Sequence, residues 1–289
     1  MPISERSARS IDPAGRTPER LRFHYEVERE LAGRLRSASS AERGALYAEV
    51  YDELFRRVTD HPQLTSPRDP ELGRRKVAEQ EALVHRFLRP GGVFLEIGAG
   101  DCALSLAVCS HASQVYAIEV SRTIAHVEST PPNFQLLITD GISIPVPPGS
   151  VDLAYSNQLM EHLHPDDAEE QAANVATAMR KGGKYVCLTP HRLLGPTDIS
   201  AFFTRGDAKG FHLREYSTRE LTQLFRAAGF SKVQVLVHFR GNTVAAPGSP
   251  FRGIDLLFGA LPARARSWLR KFRVVKKIVQ PGGGVVAIR

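Results

Sequence analysis

The segment VFLEIGAGDCA at residues 93–103 restricts the fold more than any other part of the chain. Val93, Phe94, Leu95 and Ile97 have strand character, Gly98 and Gly100 make a tight turn, and a helical Ala/Leu/Val-rich stretch follows. Glycine permits both the sharp reversal and the close approach of a ligand to the backbone. A helix opening just after the turn would aim its free N–H groups at whatever lies above residues 98–100. Such a strand–turn–helix unit predicts an α/β chain with a nucleotide-type cofactor at the end of its first strand.

Read as Gly98-x-Gly100-x-x-Ala103, the turn fits the dinucleotide fingerprint, and Glu119 stands at about the interval expected of a ribose-binding carboxylate. The wider set points elsewhere. EIGAGDC, then AIEVS, then ITDG at 138–141, then VDLAYSNQLMEHL at 151–163 resemble the class I S-adenosylmethionine-dependent methyltransferases in order and spacing, over roughly residue 75 to the C-terminus. Cys102 stands where many members carry a third glycine. The resemblance implies a doubly wound, mostly parallel, seven-stranded Rossmann-like sheet with its last strand antiparallel, and S-adenosyl-L-methionine as cofactor. It also implies the contacts. Glu96 and the turn Gly98, Ala99 and Gly100 bound the methionine and ribose end, and Glu119, followed by Val120, takes the ribose diol. Asp140, followed by Gly141, accepts from the adenine amine, and Asn157 and Gln158 lie beside the sulfonium. A carboxylate suits a diol because it accepts two hydrogen bonds at once. Glu96 and the 156–162 stretch disfavour a nicotinamide-dependent oxidoreductase.

At 289 residues the chain can bury a large core, and its longest apolar runs are strand-sized, too short to span a membrane. The first twenty residues lack the apolar centre of a signal peptide. Cys102, Cys109 and Cys187 form no CxxC pair and read as buried thiols of a cytoplasmic protein. The formal charge of +7 is uneven: residues 251–289 carry nine basic side chains and one acidic one.

Three regions follow. Residues 1–16 read as a disordered tail. Residues 17–90 read as a helical addition: Thr17-Pro18-Glu19 starts a helix with the stripe Phe23, Val27, Leu31 and Leu35, and Ser39-x-x-Glu42 is a capping box for a second. This addition either packs on the sheet or forms a lid that excludes water. Residues 91–289 alternate strand and helix patterns, the signature of a parallel sheet covered on both faces. A basic insertion at 251–281 interrupts them before the last strand. Its stripe Leu261, Ala265, Trp268, Phe272, Val275 and Val279 predicts an amphipathic helix over 261–279. That helix either packs on the core, lies on an anionic membrane surface, or docks an acidic acceptor.

A hydroxyl acceptor needs its proton removed, and histidine is the usual base near neutral pH. His191 in CLTPHR follows the fifth strand, His212 lies in GFHLREYS, and His162 in MEHLHPDD. The segment around His212 resembles a run that forms the pocket wall or lid in many methyltransferases. His162-x-His164-x-Asp166 has no further clustered ligand in sequence, so no metal is expected. The Asn/Asp-Pro-Pro-aromatic stretch of many base and amide N-methyltransferases is replaced by Ser156-Asn157-Gln158-Leu159. That favours an oxygen or carbon of a small-molecule, glycan- or lipid-linked acceptor. Nucleic acid is disfavoured, because Trp268 and Phe272 belong to the apolar stripe rather than interleaving with the cations. RNA methylation and a silent cofactor-binding or membrane-adaptor role are the alternatives.

Overall fold

The computed structural model describes Asp12 and residues 15–65, 70–122, 124–125, 127, 129–204, 206–239 and 242–289. Its eight strands are β1 (Val93–Ile97), β2 (Gln114–Glu119), β3 (Phe134–Ile138), β4 (Val151–Asn157), β5 (Met179–Leu188), β6 (Lys232–Phe239), β7 (Asn242–Pro247) and β8 (Gly284–Ile288). They form one sheet in the order β3-β2-β1-β4-β5-β8-β6-β7. Strands β1 to β5 pair in parallel, and β8 runs antiparallel between β5 and β6. The expected seven strands are therefore eight. The extra one, β7, is an edge strand paired antiparallel with β6, with Val237 opposite Val244. Its sequence, NTVAAP, has no alternating stripe, so hairpin pairing rather than a buried face defines it.

The helices named below are α1 (Pro18–Ser37), α2 (Ser40–Arg57), α3 (Pro70–Phe87), α4 (Ala103–Val108), α5 (Pro165–Ala178), α6 (Thr218–Ala227), α7 (Ser249–Gly259), α8 (Ala263–Leu269) and α9 (Arg273–Val279). Strand alternation sorts the core into two layers. Leu95, Ile97, Ile118, Ala154, Tyr185 and Cys187 face α1, α2, α5 and α6, while Phe94, Val115, Leu153 and Val186 face α3 and α4. Chain order reverses between β1 and β4, which opens a crevice at their C-terminal ends.

Both expected capping boxes form, at Ser39–Glu42 and Ser217–Glu220. Val27, Leu31 and Leu35 are buried, whereas Phe23 at the start of that stripe is exposed. The N-terminal helices are tied to the sheet domain through a buried ion pair. Arg43 on α2 donates from Nε and Nη2 to the two oxygens of Asp167 on α5, at 2.6 Å each, and Tyr47 donates to the same carboxylate at 2.7 Å. Most of the expected disordered segment 1–16 lies outside the described residues. At its end Asp12 and Arg16 are instead buried and paired, and Arg16 reaches His24.

The insertion departs most from expectation. In place of one helix over 261–279 there are two, α8 and α9, and α7 precedes them. Pro262 stands before α8, and Phe272, in extended conformation, stands before α9. The second break has no glycine or proline to announce it. It lets α9 fold back against α7 while Arg270 donates to Gly195 O. The predicted stripe is split: Val279 is buried, but Trp268 and Phe272 are exposed. No helix among the described residues is long and apolar enough to cross a membrane.

Candidate active site

The glycine turn forms as its sequence requires. Gly98 and Gly100 sit at φ +72° and +55°, and a side chain at Gly100 would project into open space. Gly98 N and Ala99 N donate to Ile118 O, which binds the turn to the end of β2. Glu119 closes the arrangement: its Oε2 accepts from Gly100 N at 2.9 Å and its Oε1 from Val120 N at 2.8 Å and Ser121 N at 3.3 Å. Both carboxylate oxygens are thus aimed along the turn, and Oε2 retains acceptor capacity for a ribose hydroxyl. An open cradle over a glycine backbone, flanked by a buried anion that can accept from a diol, fits S-adenosylmethionine.

The other expected cofactor residues take varied positions. Glu96 lies under the turn on the α4 side, where Oε2 accepts from Ser105 Oγ at 2.5 Å. Burial, with Asp101 and Glu119 nearby, pushes its carboxyl up to about 8. It braces α4 from below. Asp140 turns back on its own loop, accepting from Ile142 N, Ser143 N and Ser143 Oγ at 2.7–2.8 Å. Burial raises its pKa, but these bonds outweigh that and hold it below the usual carboxylate value. Gly141 packs by Val120 and Tyr47. Asn157 ends β4, and Gln158, at a left-handed φ of 56°, donates from N to Leu188 O. Helix α2 lies along this edge: Gly44 faces Asp140, and Asp52 accepts from Ser121 Oγ at 2.9 Å.

Immediately after β4, a single 3-10 turn (Met160–His162) presents Glu161 and His162, and a loop from beyond β5 brings His212 to them. The His162 and His212 rings meet edge to face, 4.9 Å between centroids. His212 Nδ1 donates to Glu215 Oε1 at 2.9 Å. Burial works against the charged imidazole, yet Glu215, Glu161 and Asp198 outweigh it and hold the His212 pKa above its ordinary value. Burial, reinforced by His212, pushes His162 down to about 3, and burial lifts Glu161 to about 7. Neighbours of opposed tendency at one point are the mark of proton-handling chemistry. The N-terminal helices hold this loop. Arg36 donates to Gly210 O and His212 O, Glu28 accepts from Phe211 N, and Tyr51 stacks on Phe211.

Among the three candidate histidines, the structure brings His162 and His212 together and leaves His191 apart. His191 is buried, with Nε2 3.0 Å from Asp255 Oδ1 and 3.2 Å from Thr218 N, and Nδ1 accepting from Leu193 N. It locks the start of α6 to α7, and its partner Asp255 is the insertion's one acid. His164 caps α5 through Nδ1 and does not join the cluster around His162. Glu161 and Glu215 escaped sequence reasoning although one lies beside and the other three residues from a candidate histidine; the signal was an acid at short spacing from each imidazole.

Comparisons with known proteins identify the family. The methyltransferase-domain family matches residues 72–235. A Mycolicibacterium smegmatis relative, named a probable S-adenosylmethionine-dependent methyltransferase, is 28% identical over 60% of this chain and 64% of its own length. One from Mycobacterium tuberculosis, of like name, is 30% identical over 51% of this chain and 52% of its own. The chain thus spans between 52% and 64% of the length of these two curated relatives. A chain from the solved complex between the Haloferax volcanii Trm112 methyltransferase activator and a methyltransferase shares the fold. Its TM-score is 0.51, with 14% identity over 78% of this chain and 95% of that one. Strand order, glycine cradle and family match converge, and the chain belongs to the class I S-adenosylmethionine-dependent methyltransferases.

Proposed function

We propose that the methyl group is transferred to an oxygen of an acceptor seated against Glu161, His162 and His212. The observation that carries this reading is the buried acid–imidazole cluster directly following β4, the strand whose end holds Asn157 and Gln158. S-adenosylmethionine supplies an electrophilic methyl on a sulfonium. As the acceptor oxygen bonds to that carbon, the carbon–sulfur bond breaks and sulfur keeps the electron pair. The chain's own work is alignment, exclusion of water and disposal of the acceptor's proton. Helix α2 acts as the lid, supported by its contacts with Asp140, Ser121 and Phe211. Incubation with methyl-labelled cofactor and a panel of hydroxylated small molecules, glycan carriers and lipids tests the reading. Label in an alkali-stable methyl ether is the expected result, and label found only on nitrogen or carbon would overturn it.

The insertion supports a lipid-linked or membrane-presented acceptor. Six of the nine exposed large apolar side chains among the described residues lie on it: Leu256, Leu257, Trp268, Phe272, Val274 and Ile278. A cavity of about 600 Å³, to which no crevice residue contributes, is lined by Arg192, Arg219, Arg266 and Arg270 beside Leu256, with Asp207, Glu220 and Asp255 offsetting part of that charge. Guanidinium groups beside exposed apolar side chains suit anionic phospholipid. Vesicles containing anionic lipid should sediment the protein at low salt. Equal binding to neutral vesicles, or binding to RNA in their place, would refute this docking.

A further inference from the structure

Two groups of side chains among the described residues could hold a metal ion: His24, Glu28 and His61, and Glu161, His162 and His212. Hydrogen bonding separates them. Arg16 can only donate, so it directs its proton at His24 Nδ1, and His24 Nε2 must then donate to Glu28 Oε1 at 2.7 Å. The other Glu28 oxygen accepts from Phe211 N. His24 in the first group therefore has no lone pair left to offer, and a guanidinium stands alongside to repel a cation.

The second group has not. Phe211 O can only accept, so His162 Nδ1, 3.1 Å away, carries the proton and leaves the Nε2 lone pair unused. His212 Nδ1 donates to Glu215 and likewise leaves Nε2 unused. Glu161 Oε2 accepts from Thr189 Oγ1 at 2.9 Å, while its Oε1 is buried with no hydrogen-bond partner, on a residue with 0% exposure. An unpartnered buried carboxylate oxygen is costly and calls for a partner. One ligand atom from each residue lies within 4.8 Å of the others. An ion bound at about 2.0–2.2 Å sets three ligands about 3.3–3.6 Å apart, so closing the group needs each ligand atom to move inward by up to about 0.8 Å. Each residue is also gripped on its far side, by Phe211 O, Glu215 or Thr189, the outer-shell pattern that orients metal ligands.

We propose that Glu161, His162 and His212 bind one divalent first-row transition ion, of the class of Zn²⁺, Mn²⁺ or Co²⁺, with open positions toward the acceptor. Two imidazoles and a carboxylate suit such ions better than Mg²⁺ or Ca²⁺. The site deepens the oxygen-acceptor reading and rests on it only for its chemical use. A hydroxyl bound at the open position releases its proton to water more readily. Its oxygen then forms the bond to the methyl carbon, and sulfur leaves with the electron pair of the broken bond.

The test uses the full chain after exhaustive chelation, titrated with Co²⁺ and followed by visible absorption, and with Zn²⁺ followed by calorimetry. One equivalent should bind. Glu161→Gln and His212→Asn should each weaken it at least about 100-fold, and Glu215→Gln about 10-fold, with the fold confirmed by circular dichroism. His164→Asn and His24→Gln should bind as the parent does. Absence of binding by the parent chain, or equal binding by Glu161→Gln, overturns the site. Turnover that survives chelation yet is lost in His212→Asn also overturns it, while leaving the oxygen-acceptor reading intact. Stoichiometric binding with methylation of carbon or nitrogen only would keep the site and defeat that reading.

Discussion

The glycine cradle and the proposed acceptor half of the crevice are built differently. The first is compact in sequence: Gly98 and Gly100 lie in the turn after β1, Glu119 ends the neighbouring β2, and the turn is tied there by Gly98 N to Ile118 O and Gly100 N to Glu119. The second is gathered from afar. Glu161 and His162 follow β4, Thr189 follows β5, His212 and Glu215 lie in a later loop, and Glu28, Arg36 and Tyr51 support that loop from the N-terminal helices. A cofactor common to many reactions can be held by one local unit. An acceptor particular to one reaction is met by the parts that vary around it.

The largest effect on this division should come from the joint between the N-terminal helices and the sheet domain. Arg43→Ala leaves Asp167 buried without its cation and should cost about 3–5 kcal/mol, read by urea denaturation. The acceptor half should loosen with it, and an unchanged midpoint would show that α2 is not anchored there. Next is His212→Asn, expected to lower turnover about 10²–10³-fold and, by leaving Glu215 buried without its partner, to lower stability as well. A drop confined to KM would place His212 in acceptor binding alone.

Glu96 gives a pH signature within the cofactor half. Its folded pKa, near 8, lies above its unfolded value, so the folded state holds a proton that the unfolded state releases between about pH 4.5 and 8. Stability should therefore fall as pH rises through that window, by on the order of 5 kcal/mol from this group. Glu96→Gln should flatten that slope, and a stability profile unaltered by the substitution would contradict the buried placement. The smallest effect on stability belongs to the insertion. Replacing exposed Trp268 and Phe272 with Ser should change unfolding by no more than about 0.5 kcal/mol while abolishing sedimentation with anionic vesicles.

Legibility in the sequence follows the same division. The strand–turn–helix at 93–108, the position of Glu119 and the capping boxes at Ser39 and Ser217 are local, set by backbone sterics and spacing, and they form where the sequence places them. The pairing of His162 with His212 needs the chain to travel through β5 and back, and no periodicity records that. His191 follows a strand end, where acceptors bind in α/β folds, yet it is enclosed by Asp255 from the insertion. Asp140 illustrates a subtler limit: its place after β3 was readable, but the preference of its carboxylate for Ile142 and Ser143 was not. The broken helix at 270–272 shows tertiary packing prevailing over an amphipathic pattern that is continuous on paper.

The most direct measurement titrates S-adenosylhomocysteine into the parent chain, Glu119→Ala and His212→Asn by calorimetry. Loss of charge-assisted hydrogen bonds to the ribose should weaken binding in Glu119→Ala at least about 100-fold. His212→Asn should bind within about threefold of the parent. Equal binding by Glu119→Ala, or binding lost in His212→Asn, would contradict the separation of a local cofactor cradle from an assembled acceptor site.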